Sequence, residues 1–304
     1  MHFFIVYYWV KIVYMELLVT LRNDKYIDKI KTVCDGIIVG TLFTSGYSCS
    51  TDDLIKVKEF CRENRLKLYI QMENFISEDE MKLAFDYLDF LNKLDVDGIY
   101  YHDLGVYEIA SSLGMIGKLI YDGYTVLCNS LDVAYHASTG INGVKISNEL
   151  TLDEVANILT NNPQVCDMQI FGHLRMSYSK RNFLKNYFKE INKEYDYFKR
   201  NTLYLVEEQR DYKMPIVEDE SGTKIYTDYI FEMYRELSIV KPYLKRGIVD
   251  TLFIDDDRIV QVLRDYKHIT NDNSKFLFDS LKANYPGSYA SGYLYEKTNI
   301  TKDE

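Results

Sequence analysis

Short apolar runs rich in β-branched residues alternate along this chain with stretches whose apolar residues recur at helical spacing, and the pair repeats roughly every 25 to 30 residues. That rhythm is the signature of βα units, in which each helix returns the chain so that successive strands run parallel. The first unit reads as a strand over Glu16–Leu21 and a helix over 24–32. The second is a strand over Gly36–Gly40 and a helix over 51–65, with Leu54, Val57 and Cys61 on one face. A third strand over 66–72 precedes a helix opened by Ser77 and Glu80, a capping box, with Met81, Ala84, Phe85, Leu88 and Leu91 as its inward stripe.

The fourth strand is Gly98–Tyr101, leading through Asp103 into a helix that stops near Gly114. The fifth is read over 123–128, with Asn129 and Ser130 placed to cap the next helix. The sixth covers 143–147, and Thr151 with Glu154 repeats the capping box before Val155, Ile158 and Leu159. After a seventh strand over 167–171, a helix from Ser179 is expected to carry Phe183, Leu184, Tyr187, Phe188 and Ile191 inward.

The rhythm breaks at 202–227, where strand-like runs over 203–206 and 224–226 flank Pro215 and the turn dipeptide Ser221-Gly222. This stretch is too short to own a core and reads as a β insertion. A helix with Met233, Leu237, Val240 and Leu244 on one face follows, then an eighth strand over 248–254 and a helix capped by Asp256, with Ile259, Val262, Leu263 and Tyr266 inward. Eight strands counted this way close a TIM-like β/α barrel of the α/β class. It occupies 15–300 as one domain, with the insertion after strand seven and residues 1–14 as an N-terminal extension.

Composition fits one large core: the chain has 304 residues, 47% of them hydrophobic, and only 4 prolines. The apolar start is interrupted by Lys11 and Glu16, falls short of the ~20 residues of a membrane span, and shows no signal-peptide cleavage pattern. A cytoplasmic chain with no membrane partner is expected. The cysteines Cys34, Cys49, Cys61, Cys128 and Cys166 form no CxxC pair and read as intracellular thiols rather than a disulfide or zinc framework.

The formal charge of -10 disfavours nucleic acid except where basic charge is concentrated. One such place exists. Within 174–200, Arg175, Lys180, Arg181, Lys185, Lys189, Lys193, Lys199 and Arg200 face only Glu190, Glu194 and Asp196. Arg181, Lys185 and Lys189 recur every four residues as an outward stripe, with Tyr178, Tyr195 and Tyr197 nearby as stacking partners, which makes them RNA-contact candidates. The same stripe also fits an ordinary solvated helix face.

Several strand ends carry short words in a fixed order. They are Tyr101-His102-Asp103-Leu104-Gly105-Val106, then Asn129-Ser130-Leu131-Asp132-Val133, then Ser147-Asn148-Glu149-Leu150-Thr151-Leu152. Gly172-His173 with Ser179-Lys180-Arg181 follows, then 207–223 with Arg210, Pro215, Asp219 and Gly222-Thr223, then Gly292-Tyr293-Leu294-Tyr295-Glu296-Lys297-Thr298. In this order and spacing, from Met15 to about Thr298, the chain resembles the collagenase-like peptidases of family U32.

The resemblance implies a barrel whose working face lies at the C-terminal ends of its strands. Many members hold an iron–sulfur cluster on cysteines that begin just after the Gly-His region. Here Leu174, Arg175 and Met176 follow His173 and no cysteine lies beyond Cys166, so the cluster is expected to be absent and no other cofactor is expected. Some relatives hydroxylate uridine in RNA or act in quinone hydroxylation, several as paired barrels. The resemblance therefore implies a clusterless subunit in tRNA uridine hydroxylation, partnered by a cluster-bearing homologous subunit and tRNA. The alternatives are a collagenase-like peptidase, a hydrolase of extended polypeptides, and a non-catalytic scaffold barrel.

The chemistry at the strand ends is sparse. Asp103, Glu149 and His173 are the catalytic candidates, and His102, Asn129, Arg175 and Arg210 the substrate-binding ones, because all fall in loops after strands or in the insertion. Asp103 and Glu149 also suit helix capping, and His173 suits a structural hydrogen bond. No two of His2, His102, His136, His173 and His268 stand at metal-ligand spacing, and no GxSxG or HExxH is present. Neither a nucleophile nor a metal site is recognisable.

Overall fold

The computed structural model describes residues 14–22, 26–40, 42–44, 49–194, 203–208, 212–254 and 257–296. Seven parallel strands come first: β1 (Glu16–Leu21), β2 (Gly36–Gly40), β3 (Lys67–Met72), β4 (Gly98–Tyr101), β5 (Leu119–Asp122), β6 (Gly143–Lys145) and β7 (Cys166–Gly172). Between them run α1 (Ile27–Ile30), α2 (Thr51–Asn64), α3 (Met81–Leu94), α4 (Leu104–Ser112), α5 (Ser130–Ser138) and α6 (Leu152–Asn161).

The chain then leaves the barrel through β8 (Arg175–Ser179), α7 (Phe183–Glu190), β9 (Tyr204–Leu205), β10 (Met214–Asp219) and β11 (Gly222–Tyr226). It returns by β12 (Ile230–Glu232), α8 (Leu237–Val240), β13 (Arg246–Val249), α9 (Arg258–His268), α10 (Ser274–Asn284) and β14 (Tyr289–Ala290). β13 pairs in parallel with both β1 and β7, which closes an eight-stranded TIM-like barrel. β12 and β14 extend the sheet beside β7, and β8, β11, β10 and β9 form a separate four-stranded sheet over the mouth.

The alternation of strand residues divides the core. Leu18, Ile38, Tyr69, Tyr100, Ile120 and Ile248 fill the barrel interior. Their neighbours, such as Val19, Ile37, Ile70, Ile99 and Val144, join the larger cluster under the helices. At the N-terminal floor the interior turns polar: Tyr100 donates to Asp167 at 2.8 Å, and Arg246 bonds Asp167 at 2.7 Å and the Asn142 side chain at 2.7 Å. Tyr69 donates to Glu16 at 2.8 Å, and Glu16 also pairs with Lys67.

Both capping boxes form, at Ser77 with Glu80 and at Thr151 with Glu154. Four sequence expectations are corrected. The fifth strand is Leu119–Asp122, one step earlier than 123–128, because Tyr124 takes a φ of 56° that no strand continues through. Phe85 is 43% exposed and Tyr87 takes its place on the inner face of α3. The stretch after β7 pairs as β8 with β11 before any helix starts, and α7 buries none of its residues. The eighth strand is Arg246–Val249, so its charged first residue belongs to the floor, and the expected cap Asp256 lies outside the described residues, as do 1–13. Among the described residues no helix is long and apolar enough to cross a membrane.

One buried carboxyl makes the fold pH-sensitive. Glu232, 7% exposed at the end of β12, is pushed up to about 7 by burial, against the hydrogen bond from the Tyr234 N–H and with the Glu236 carboxylate adding to the rise. An unfolded glutamate ionises near 4.5, so as pH climbs from 4.5 to 7 the unfolded state gains charge first and stability falls, by about 3 kcal/mol in total. Glu232→Gln is expected to raise the melting midpoint at pH 8 and leave it unchanged at pH 4. Equal shifts at both pH values would refute this origin.

Candidate functional site

The barrel's C-terminal mouth opens into a cavity of about 280 Å³ between the ends of β5, β6 and β7 and the small sheet. Each strand delivers one polar group to it. Asp122 ends β5, Lys145 ends β6, and the two pair at 2.8 Å with Asp122 almost fully buried. Gln169 rises from β7, where its amide nitrogen is spent on the His173 carbonyl at 3.1 Å, and Asn148 donates to the Gln169 carbonyl at 2.8 Å. Tyr124, Tyr229 and Tyr293 contribute aromatic walls, and Met176 and Met214 of the small sheet, with Tyr212 just before β10, roof the opening.

A second cluster fixes the roof to the barrel. Glu73, just past β3, bonds Lys224 of β11 at 2.8 Å and stands 3.6 Å from Arg175 of β8. Lys224 also donates to Asn74 at 3.1 Å. The Arg175 guanidinium lies 3.1 Å from the ring centroid of Tyr124, whose hydroxyl donates to the Glu73 carbonyl at 2.7 Å. Burial alone would raise the Glu73 carboxyl, but Lys224, Arg175 and Arg22 around it hold it at about 2. Arg175 is thus a charge held between a carboxylate and a ring at the cavity wall.

Backbone at two glycines makes this approach tolerable. Gly172, at φ 114°, lies where a Cβ would fall 2.4 Å from the Asp250 carbonyl, and it turns the chain from β7 toward His173 and Arg175. Gly222, at φ 121°, makes the tight turn from β10 to β11 that brings Lys224 back over Glu73.

The structure distributes the sequence candidates unevenly. Arg175 and Glu149 line the cavity. Asp103 caps α4, accepting from Gly105 at 2.7 Å and from Ile76 at 3.1 Å, and does not line it. Asn129 caps α5, accepting from Leu131 and Asp132 at 3.0 Å. His102 bonds the Asp122 carbonyl at 2.8 Å behind the wall, packed on Tyr124. His173 bonds the Thr227 carbonyl at 2.7 Å, and burial depresses its proton affinity. Arg210 lies outside the described residues. Arg181, Lys185 and Lys189 are all exposed on and beside α7.

Asp122, Lys145, Glu73 and Lys224 were missed. Asp122 became visible only once the fifth strand ended on it, whereas Lys224 and Glu73 carry no local signal, being joined across 151 positions. Cys34, Cys61 and Cys166 are buried, and burial pushes their thiols up to about 12, while Cys49 is half-buried and Cys128 stands exposed after β5. Among the described residues no group of three or more His, Cys, Asp or Glu is placed to hold a metal ion.

Comparison with known proteins agrees with this architecture. The U32 peptidase structure Mk0906 superposes with a TM-score of 0.50 at 13% identity, covering 78% of this chain and 92% of that one. The tRNA hydroxylation protein P2 of Bacillus subtilis (strain 168) is 28% identical over 179 residues, 58% of this chain and 58% of that protein. The uncharacterized protease MJ0090 of Methanocaldococcus jannaschii is 27% identical over 141 residues, 45% of this chain and 34% of that protein. The matched regions thus span little more than half of the first relative and a third of the second. The family model of peptidase family U32 matches residues 45–302, a stretch that holds the mouth cavity and the small sheet, and the chain belongs to that family.

Proposed function

We propose that this chain is a clusterless subunit in the hydroxylation of tRNA uridine, working in the cytoplasm with a cluster-bearing homologous subunit. The observation that carries the reading is the match to the tRNA hydroxylation protein P2. The mouth cavity supports it. Tyrosines wall the cavity, the Asn148 and Gln169 amides line it, and the cations Lys145 and Arg175 are each paired with a carboxylate, Asp122 and Glu73, while Glu149, Glu207 and Asp228 add negative charge. Such a lining repels phosphate and suits a planar uncharged ring, since the Asn148 and Gln169 amide nitrogens are spent on backbone carbonyls and their oxygens remain as acceptors for ring N–H groups. Among the described residues no cysteine or histidine lines it.

The redox chemistry of hydroxylation then belongs to the partner, and this chain's residues bind and orient. Anaerobically purified protein is expected to be colourless and free of stoichiometric iron and sulfide. Brown protein that bleaches when Cys166 is replaced by alanine would overturn that expectation. The proposal itself is tested by mass spectrometry of tRNA nucleosides from cells lacking the chain, where hydroxyuridine is expected to disappear. An undiminished level would sink it.

A further inference from the structure

Helix α7 has the composition of a core helix and the placement of a surface one. Phe183, Leu184, Tyr187 and Phe188 are among its eight residues, and none is buried. Phe183 is 49% exposed and Tyr187 59%, and Ile191 just beyond the helix is 40% exposed. A helix this short does not hold itself in water. It is held from its N-terminus instead. The buried Glu218 carboxylate accepts from the Leu184 N–H at 2.7 Å and the Lys185 N–H at 2.9 Å, and the Thr223 hydroxyl accepts from the Phe183 N–H at 3.0 Å. The fold therefore fixes the helix firmly while leaving the Phe183 and Tyr187 rings in water. Tyr187 stands edge-on to Phe188 at 5.6 Å between ring centroids.

At 100° per residue, Phe183 and Tyr187 lie on one side of this helix and Lys185 and Lys189 about 160° away on the other, with Arg181 just before the helix and Ile191 just after it. Lys180 and Lys193 extend the positive charge at either end, with Glu190 and Glu194 the acids within that stretch, on a chain of net charge -10. An apolar protein partner would meet these cations at the rim. A single-stranded polynucleotide that crosses the exposed face between them, at Asn186 and Glu190, supplies both complements, phosphates for the basic side and base faces for the rings. The same lobe reaches the cavity, since Met176 and Tyr212 line its opening.

We infer that α7 with its basic flank is a platform for a single-stranded RNA segment, beside the mouth cavity. The inference rests on the hydroxylation reading for the choice of RNA over DNA, and otherwise on the exposed rings and charges. The test uses the full chain and a fluorescently labelled, unstructured RNA of about 12 nucleotides, with anisotropy read across a salt series. Tyr187→Ala is expected to weaken binding by about 5- to 100-fold with the salt slope unchanged. Lys185→Ala combined with Lys189→Ala is expected to flatten the slope of log K against log salt by about 1.4. Both sites are exposed, and circular dichroism and melting identical to the parent protein establish that the fold is intact.

Absence of binding, or binding that ignores both variants, would overturn the inference. So would sedimentation showing that the parent protein self-associates and Tyr187→Ala does not, which assigns the face to a second copy. The two readings fail separately. Loss of hydroxyuridine without the chain, together with wild-type RNA binding by Tyr187→Ala, removes the platform alone. RNA binding through α7 with unchanged hydroxyuridine removes the hydroxylation reading alone.

Discussion

Replacing Lys224 with methionine is expected to destabilise the fold by roughly 3–5 kcal/mol, because it leaves a buried carboxylate without the cation that sits 2.8 Å away. Lys224 is 1% exposed and Glu73 8%, so water does not substitute for the lost charge. For a chain of this size the melting midpoint should fall by about 5–8 °C. The pH dependence identifies the cause. In the native protein Glu73 is held at about 2 against 4.5 for the free side chain, so its contribution is complete above pH 4.5 and lost as pH falls through 2. Without Lys224 that depression shrinks, and the loss should be greater at pH 7 than at pH 4. Adding Glu73→Gln to Lys224→Met should recover much of the midpoint. A single variant that melts like the parent would show that the roof is not pinned through this pair.

The second large effect is expected at the opposite end of the barrel. Arg246 is 1% exposed, donates to Asp167 at 2.7 Å, and reaches Asn142 with a second nitrogen. Arg246→Met should cost roughly 3–5 kcal/mol by stranding Asp167 among Tyr100 and apolar neighbours. The damage should be smaller at pH 5 than at pH 8, since a stranded carboxyl can take up a proton and become neutral. Calorimetry at the two pH values checks this, and a pH-independent loss would assign the effect to packing instead.

The barrel was legible in the sequence because its signals are local. Strands β1, β2 and β4 carry apolar runs bounded by turns, and Ser77-Glu80 and Thr151-Glu154 announce their helices within four residues. The fifth strand was misplaced because apolar residues continue on both sides of Gly123, and nothing local says that the chain turns at Tyr124 with φ 56°. The inward reading of Phe183, Tyr187 and Ile191 failed for a different reason. Periodicity shows that a face is apolar, but not what lies opposite, and here the neighbouring sheet leaves that flank uncovered.

The site was legible only in part. Arg175 and Glu149 lie three and four residues beyond the ends of β7 and β6, so position alone placed them at the mouth, where they line the cavity. Asp103 and Asn129 have the same kind of position, yet their oxygens are used on backbone N–H groups of their own helices. Sequence does not separate a cap from a ligand when both require a carboxylate or amide after a strand. The Glu73, Lys224 and Arg175 cluster depends on the small sheet folding back over β3, a long-range contact that no spacing encodes.

The most direct test of the central claim joins the cavity to the modification. Cells lacking the chain are supplied with either the parent protein or Lys145→Met, and hydroxyuridine in purified tRNA is measured by mass spectrometry. Lys145 lines the cavity and pairs with Asp122. The account predicts that the parent restores hydroxyuridine, and that Lys145→Met, accumulated to the same level and folded, leaves it low. Full restoration by Lys145→Met, or hydroxyuridine that never fell when the chain was removed, would contradict it.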